Sequence, residues 1–137
     1  MELCKFEYNE NSIKQLKSIC NKCESPAIKR TFEYLRILFY FSKDKIISEF
    51  IPDVAYYVAT FSRNKIRLVD IAISKEYQRK GLGTILINRI KAIAKAKGIN
   101  KITLRTSSEE TAFMFYQKLG FNEICMNGND IEMELII

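Results

Sequence analysis

The strongest constraint on the fold lies mid-chain, where Ile71-Ala72-Ile73-Ser74 runs into Lys75-Glu76-Tyr77-Gln78-Arg79-Lys80-Gly81-Leu82-Gly83 and on into Thr84-Ile85-Leu86. An apolar run with β-branched residues, a basic turn carrying two glycines and an immediate start of helical periodicity read as strand, turn, helix. Gly81 and Gly83 lack a Cβ, so the turn can bring backbone N–H groups close to an anion, with the positive end of the new helix behind them. Such a turn can hold a phosphate. Two common phosphate loops do not fit it: the dinucleotide fingerprint needs a third glycine where Leu86 stands, and the P-loop needs Gly-Lys-Ser/Thr, which the chain lacks.

The charge distribution points to the same place. The chain carries a net +6, yet from Lys75 to Lys101 eight basic residues face the single acid Glu76, while the remainder holds 14 basic and 15 acidic residues. The whole excess therefore surrounds the glycine turn and the helix leaving it, which suits a ligand with several phosphates. A nucleic-acid footprint is the rival reading of the same charge. A solvated lysine-rich helix face accounts for part of it, Lys95 and Lys97 in particular.

A length of 137 residues with 47% hydrophobic content fits one domain, residues 1–137. No apolar run approaches eighteen residues and the start, Met1-Glu2-Leu3-Cys4-Lys5, has no signal-peptide pattern, so a soluble, cytoplasmic protein without a membrane span is expected. Cys20-x-x-Cys23 has no second close pair and the chain has no histidine, so Cys4, Cys20, Cys23 and Cys125 read as reduced thiols and no metal is expected. Lack of histidine also leaves proton transfer to carboxylate, tyrosine or water.

Taken in order, the pattern predicts a strand at Leu3 to Tyr8 and a helix capped by Asn11 with Ile13, Leu16, Ile19, Cys20 and Cys23 on one face. A second helix starts at Ser25-Pro26 and runs through Phe32 and Leu35, taking in the ambiguous segment Ile37 to Phe41. Strands follow at Ile46 to Ile51, Val54 to Phe61 and Ile66 to Ile73. A helix at Thr84 to Lys97, stopped by Gly98, buries Leu86, Ile90, Ile93 and Ala94. Lys101 to Thr106 is the fifth strand, Thr111 to Leu119 a short helix, and Asn122 to Met126 with Ile131 to Ile136 a hairpin about Asn127-Gly128-Asn129-Asp130.

The turn also fits Gln/Arg-x-x-Gly-x-Gly/Ala through Gln78, Gly81 and Gly83, and a second block, Ala112, Tyr116, Lys118, Gly120 and Phe121, follows the order Ala-x-x-x-Tyr-x-Lys-x-Gly-Phe. Together these resemble the acetyl-CoA loop and the following helix of the GNAT N-acetyltransferase superfamily, from about Ile66 to Phe121. The resemblance implies a mixed α+β fold. Its centre is a mostly antiparallel twisted sheet of six to seven strands, splayed between strands four and five and flanked by about four helices. It implies transfer of an acetyl group from acetyl-CoA to a primary amine of a small molecule or protein, by a monomer or homodimer. Rival readings on the same fold are a nucleic-acid-associated protein and a non-catalytic module that kept the CoA pocket.

By that resemblance, backbone groups from Gln78 through Arg79, Lys80, Gly81, Leu82, Gly83 and Thr84 hold the pyrophosphate. Ile71, Ala72 and Ile73 line the pantetheine arm, and Ser107, Glu109, Phe113 and Tyr116 complete the cofactor contacts. Tyr116 matches the tyrosine that protonates the leaving thiolate. Asp70 is the first candidate for the base, with Glu49, Asp53 and water as alternatives. Arg67 stands where histone-type relatives carry a glutamate base, and Leu104 where a ribosomal-protein-type enzyme carries one, so neither substrate class is supported. Glu109 replaces the asparagine common at its position, and Ser107 or Ser108 is the substitute contact to the arm.

Overall fold

The computed structural model describes residues 2–23, 34, 35, 37–40, 43–108 and 110–137. Seven strands, β1 (Cys4–Lys5), β2 (Ile46–Ile51), β3 (Ala55–Phe61), β4 (Ile66–Ile73), β5 (Lys101–Ser107), β6 (Asn122–Asn127) and β7 (Asp130–Ile136), form one sheet in the order β1-β2-β3-β4-β5-β7-β6. Every neighbouring pair is antiparallel except β4 with β5. Parallel neighbours need a crossover, supplied here by α2 (Leu82–Ala96); α1 (Glu10–Lys22) precedes the sheet and α3 (Glu110–Lys118) follows β5. Residues 34, 35 and 37–40 are helical as well. This is the mixed α+β architecture the sequence leads one to expect.

The helix ends follow from local chemistry. Asn9, rather than Asn11, caps α1: its backbone is extended and its side chain accepts from Ser12 N at 2.9 Å, whereas Asn11 already lies in the first turn. The first strand is correspondingly short: Cys4 and Lys5 pair with β2 and Phe6 N–H adds one bond to the Ser48 carbonyl at 2.9 Å before the chain bends into that cap. Gly98 stops α2 at φ 71°, with Ile99 N–H bonding the Ala94 carbonyl at 2.8 Å and Gly98 N–H the Lys95 carbonyl at 3.1 Å. Gly120 ends α3 the same way at φ 98°, and Phe121 N–H bonds the Tyr116 carbonyl at 3.1 Å while the two rings meet edge to face. The helix expected from Ser25-Pro26 through Phe32 lies outside the described residues, although Leu35 and Phe39 are helical and buried.

Each face of the sheet carries a core. On one, Leu16, Ile19 and Cys20 of α1 pack on Tyr56, Val58 and Ala72. On the other, Leu86, Ile90 and Ala94 of α2 pack on Ile66, Leu68, Ile102 and Leu104, with Leu82 and Ile87 buried beside them. A β-bulge at Val69 changes the parity of β4, because Leu68 pairs with Ala59 while Asp70 pairs with the very next residue, Val58. Ile66 and Leu68 therefore face α2, but Asp70 and Ala72 lie in line with Val58 and Tyr56 on the α1 side. Among the described residues no helix is long and apolar enough to cross a membrane.

Candidate active site

The sheet is open where β4 and β5 leave one another. They pair only from Ile66, Arg67 and Leu68 to Ile102, Thr103 and Leu104. Beyond that, Asp70 to Ile73 pair with β3 alone and Arg105 to Ser107 with β7 alone, so the two facing backbone edges are unpartnered in the sheet. The glycine turn stands at the far end of β4. Arg79 at φ 61° and Gly81 at φ 81° both adopt left-handed backbone, which turns successive N–H groups inward, and Gly81 is itself the N-cap of α2. Among the described residues no acceptor takes the backbone N–H of any residue from Arg79 to Thr84; the first bond of the helix is Ile85 N–H to the Gly81 carbonyl, 3.1 Å. The turn thus presents a row of unspent donors, with Arg79 and Lys80 exposed beside it.

The two glycines do different things. A Cβ on Gly81 would meet nothing within 4 Å, so that position is fixed by backbone conformation and by room for a ligand. A Cβ on Gly83 would lie 2.8 Å from the Phe115 ring and 3.6 Å from Ile73 Cδ1, so that position is fixed by the close packing of α2 on α3 and β4. Gln78 turns its side chain back: Nε2 donates to the Ile73 carbonyl at 2.9 Å and to the Cys23 carbonyl at 3.2 Å, lashing the turn to β4 and to the end of α1. Leu82 is buried and Thr84 exposed in the first turn of α2.

Asp70 lies just past the last parallel pair and is only 7% exposed. Its Oδ2 accepts from the Tyr56 hydroxyl at 2.7 Å, and the nearby backbone N–H of Ile71 adds a smaller pull toward the charged form. Burial outweighs both donors and pushes the carboxyl up to about 6. Tyr116 is partly exposed but closely surrounded, and burial together with the nearby negative charge of Asp70 raises its pKa. Among the described residues its hydroxyl has no hydrogen-bond partner, so it retains a proton to offer. Asp70 stands where β4 leaves β5, on the α1 face, and Tyr116 packs with the α2-side core, near enough for the Asp70 charge to act on its hydroxyl.

Other candidates land elsewhere. Glu49 is on β2, where burial would raise its carboxyl but Arg89 at 2.8 and 3.1 Å and the Tyr57 hydroxyl hold it below the ordinary value. Asp53 sits in a turn 3.4 Å from Lys22. Ser107 ends β5 opposite Asp130, Phe113 packs against the α2-side core, and Glu109 lies outside the described residues. Arg67 bonds Glu132 and Thr103 across β5 and β7, keeping Glu132 below the usual carboxylate range, and Leu104 is core. Two residues escape the sequence reading. Tyr56 looks like its neighbour Tyr57 in an apolar strand, and the signal for it was that a buried Asp70 on the adjacent strand needs a donor. Phe115 is one residue off the Phe113–Tyr116 spacing.

Residues 29–121 match the model of the acetyltransferase (GNAT) family. The chain belongs to that family. Over 57 residues this GNAT chain is 37% identical to the uncharacterized N-acetyltransferase CgeE of Bacillus subtilis, and over 62 residues it is 34% identical to the ribosomal protein bS18-alanine N-acetyltransferase of Haemophilus influenzae. Those stretches cover 42% and 45% of the chain but only 22% and 42% of the two relatives. The fold is shared along its whole length with the PaiA N-acetyltransferase of Thermoplasma acidophilum, solved with coenzyme A, at a TM-score of 0.75, 21% identity and 100% of both chains. Acetyl-CoA is the family's co-substrate. The unspent N–H row, the two cations and the open backbone edges of this GNAT chain fit such a molecule: a pyrophosphate at the turn and an extended amide arm along the splay.

Proposed function

We propose that the chain is an acetyl-CoA-dependent N-acetyltransferase acting on a primary amine. What supports this reading is a donor-rich turn at one end of an unpartnered strand edge and the buried Asp70 carboxylate at the other. The backbone N–H groups from Arg79 to Thr84 hold the pyrophosphate, with the Arg79 and Lys80 side chains adding charge, while Gln78, whose own N–H bonds the Lys75 carbonyl at 3.2 Å, braces the turn. Ile71, Ala72 and Ile73 offer main-chain groups to the arm and to the acyl oxygen, with Ser107, Glu109 and Phe113 along the opposite side. An amine attacks only when neutral, and Asp70 receives its proton. The sulfur leaves only when its charge is met, and Tyr116 donates a hydrogen bond to it. With its pKa raised, Tyr116 keeps its proton until that charge appears.

Charge argues for a small phosphorylated ligand over a nucleic acid. Within the basic stretch Arg89 is tied to Glu49, Lys97 lies 4.2 Å over the Phe61 ring, and Lys101 is 3.9 Å from Glu134, so much of the excess is engaged locally. Four free cysteines suit a reducing compartment, and we take the protein to act in the cytoplasm. Calorimetry with acetyl-CoA and with duplex DNA at two salt concentrations tests the reading. Micromolar cofactor binding, with at most weak and steeply salt-dependent DNA binding, is expected. Thiol release over a panel of peptides with free N-termini, polyamines and aminoglycosides then identifies the acceptor. Absence of binding at millimolar acetyl-CoA overturns the proposal.

A further inference from the structure

Asp70 is a carboxylate with few friends. It is buried, and among the described residues no lysine or arginine acts on it; what stabilises its charge is chiefly the Tyr56 hydroxyl at 2.7 Å, with a smaller pull from the nearby N–H of Ile71. The titratable groups around this pair are Tyr116 from α3, which feels the Asp70 charge, and Cys20 and Cys23 from α1, which lie near Tyr56. None of them is a cation. Tyr56 is fully buried on β3, diagonal to Asp70 across the ladder, and burial together with Asp70 raises its pKa, so its hydroxyl stays protonated and donates to the carboxylate. The Tyr56 hydroxyl occupies one lone pair of the carboxylate and leaves others for an incoming proton.

We propose that Tyr56 is a positioning residue that orients the Asp70 carboxylate and sets the pH at which it accepts the amine's proton. The proposal rests on Asp70 being the base. Tyr56 touches neither substrate nor sulfur. It acts through one hydrogen bond to the charged form, and loss of a bond to the charged form makes that form harder to reach. The parity change at Val69 is what makes the pairing possible. Without the extra residue Asp70 would face α2, away from Tyr56.

The test is Tyr56→Phe, which keeps the ring and removes the hydroxyl. The Asp70 carboxyl is titrated by carbon-13 NMR in the free protein, with Asp70→Asn identifying its signal, and kcat is profiled against pH with the best acceptor of the panel. In Tyr56→Phe the Asp70 midpoint is expected to rise by about one pH unit, and the acid limb of kcat to rise with it, so turnover falls about tenfold on the acid side and little at high pH. An unmoved midpoint overturns the proposal and leaves Asp70 standing as the base. A midpoint that rises without the acid limb overturns Asp70 as the base, and with it the catalytic role of Tyr56. Equal loss of turnover at every pH with an unmoved limb marks Tyr56 as merely structural and also overturns it. If the variant does not fold, the Tyr56 ring Cζ resonance of the wild-type protein decides: it should move through the Asp70 midpoint, and a flat response overturns the bond.

Discussion

Asp70 and Tyr116 make opposite demands on their surroundings, and each yields a measurable outcome. The Asp70 carboxyl stands at about 6 in the fold against 3.8 unfolded, so between those values the native state holds the extra proton and stability falls as pH rises through the interval. The cost is absent below the unfolded value and complete above the folded one, amounting to about 3 kcal/mol. Asp70→Asn should therefore be more stable than wild type at pH 8, by an amount that closes as the pH falls toward 4 in urea titrations. A constant difference across that range would contradict it. Glu49 and Glu132 run the other way: both are held low, so both add stability at neutral pH that is lost on acidification. For Tyr116, Phe preserves the ring against Phe121 but removes the donor, so kcat should fall on the order of ten- to a thousandfold with acetyl-CoA affinity nearly kept. Unchanged kcat where chemistry is rate-limiting would assign the proton to water.

The glycine turn and its flanking elements are where sequence and structure agree most closely, because local chemistry alone decides them. Ile66 to Ile73 reads as a strand from its branched side chains, and Gly81 as a turn residue from its missing Cβ, which the positive φ it adopts bears out. The bulge at Val69 leaves no readable mark in the sequence, since β4 is apolar at nearly every position and offers no strict alternation for an extra residue to break; only pairing with Val58 and Ala59 creates it. The same reason hid Tyr56, whose role comes from a neighbour fourteen residues away. The two glycines should now fail differently. Gly81→Ala forces a side chain into left-handed backbone, costing roughly 1–2 kcal/mol and weakening acetyl-CoA binding. Gly83→Ala drives a methyl into the Phe115 ring, and adding Phe115→Leu should recover much of the stability it loses. If Phe115→Leu gives no recovery in thermal melts, Gly83 is constrained by something other than that ring.

For the molecule as a whole, a ligand held only by the native state raises its stability by mass action, about 2.7 kcal/mol at a hundredfold excess over Kd. Acetyl-CoA should accordingly raise Tm in a concentration-dependent way, and Gly81→Val should abolish the rise. The parting of β4 and β5 carries one more consequence. A seven-stranded sheet with a gap between its fourth and fifth members is two smaller sheets hinged at Leu68 and Leu104, and the ladder is complete only when something with peptide-like groups lies in the gap. Amides along Asp70 to Ile73 that point away from β3 should exchange with deuterated water in seconds while their neighbours last far longer. On binding, that alternation should vanish, so that occupancy of the site is read as the closing of a sheet.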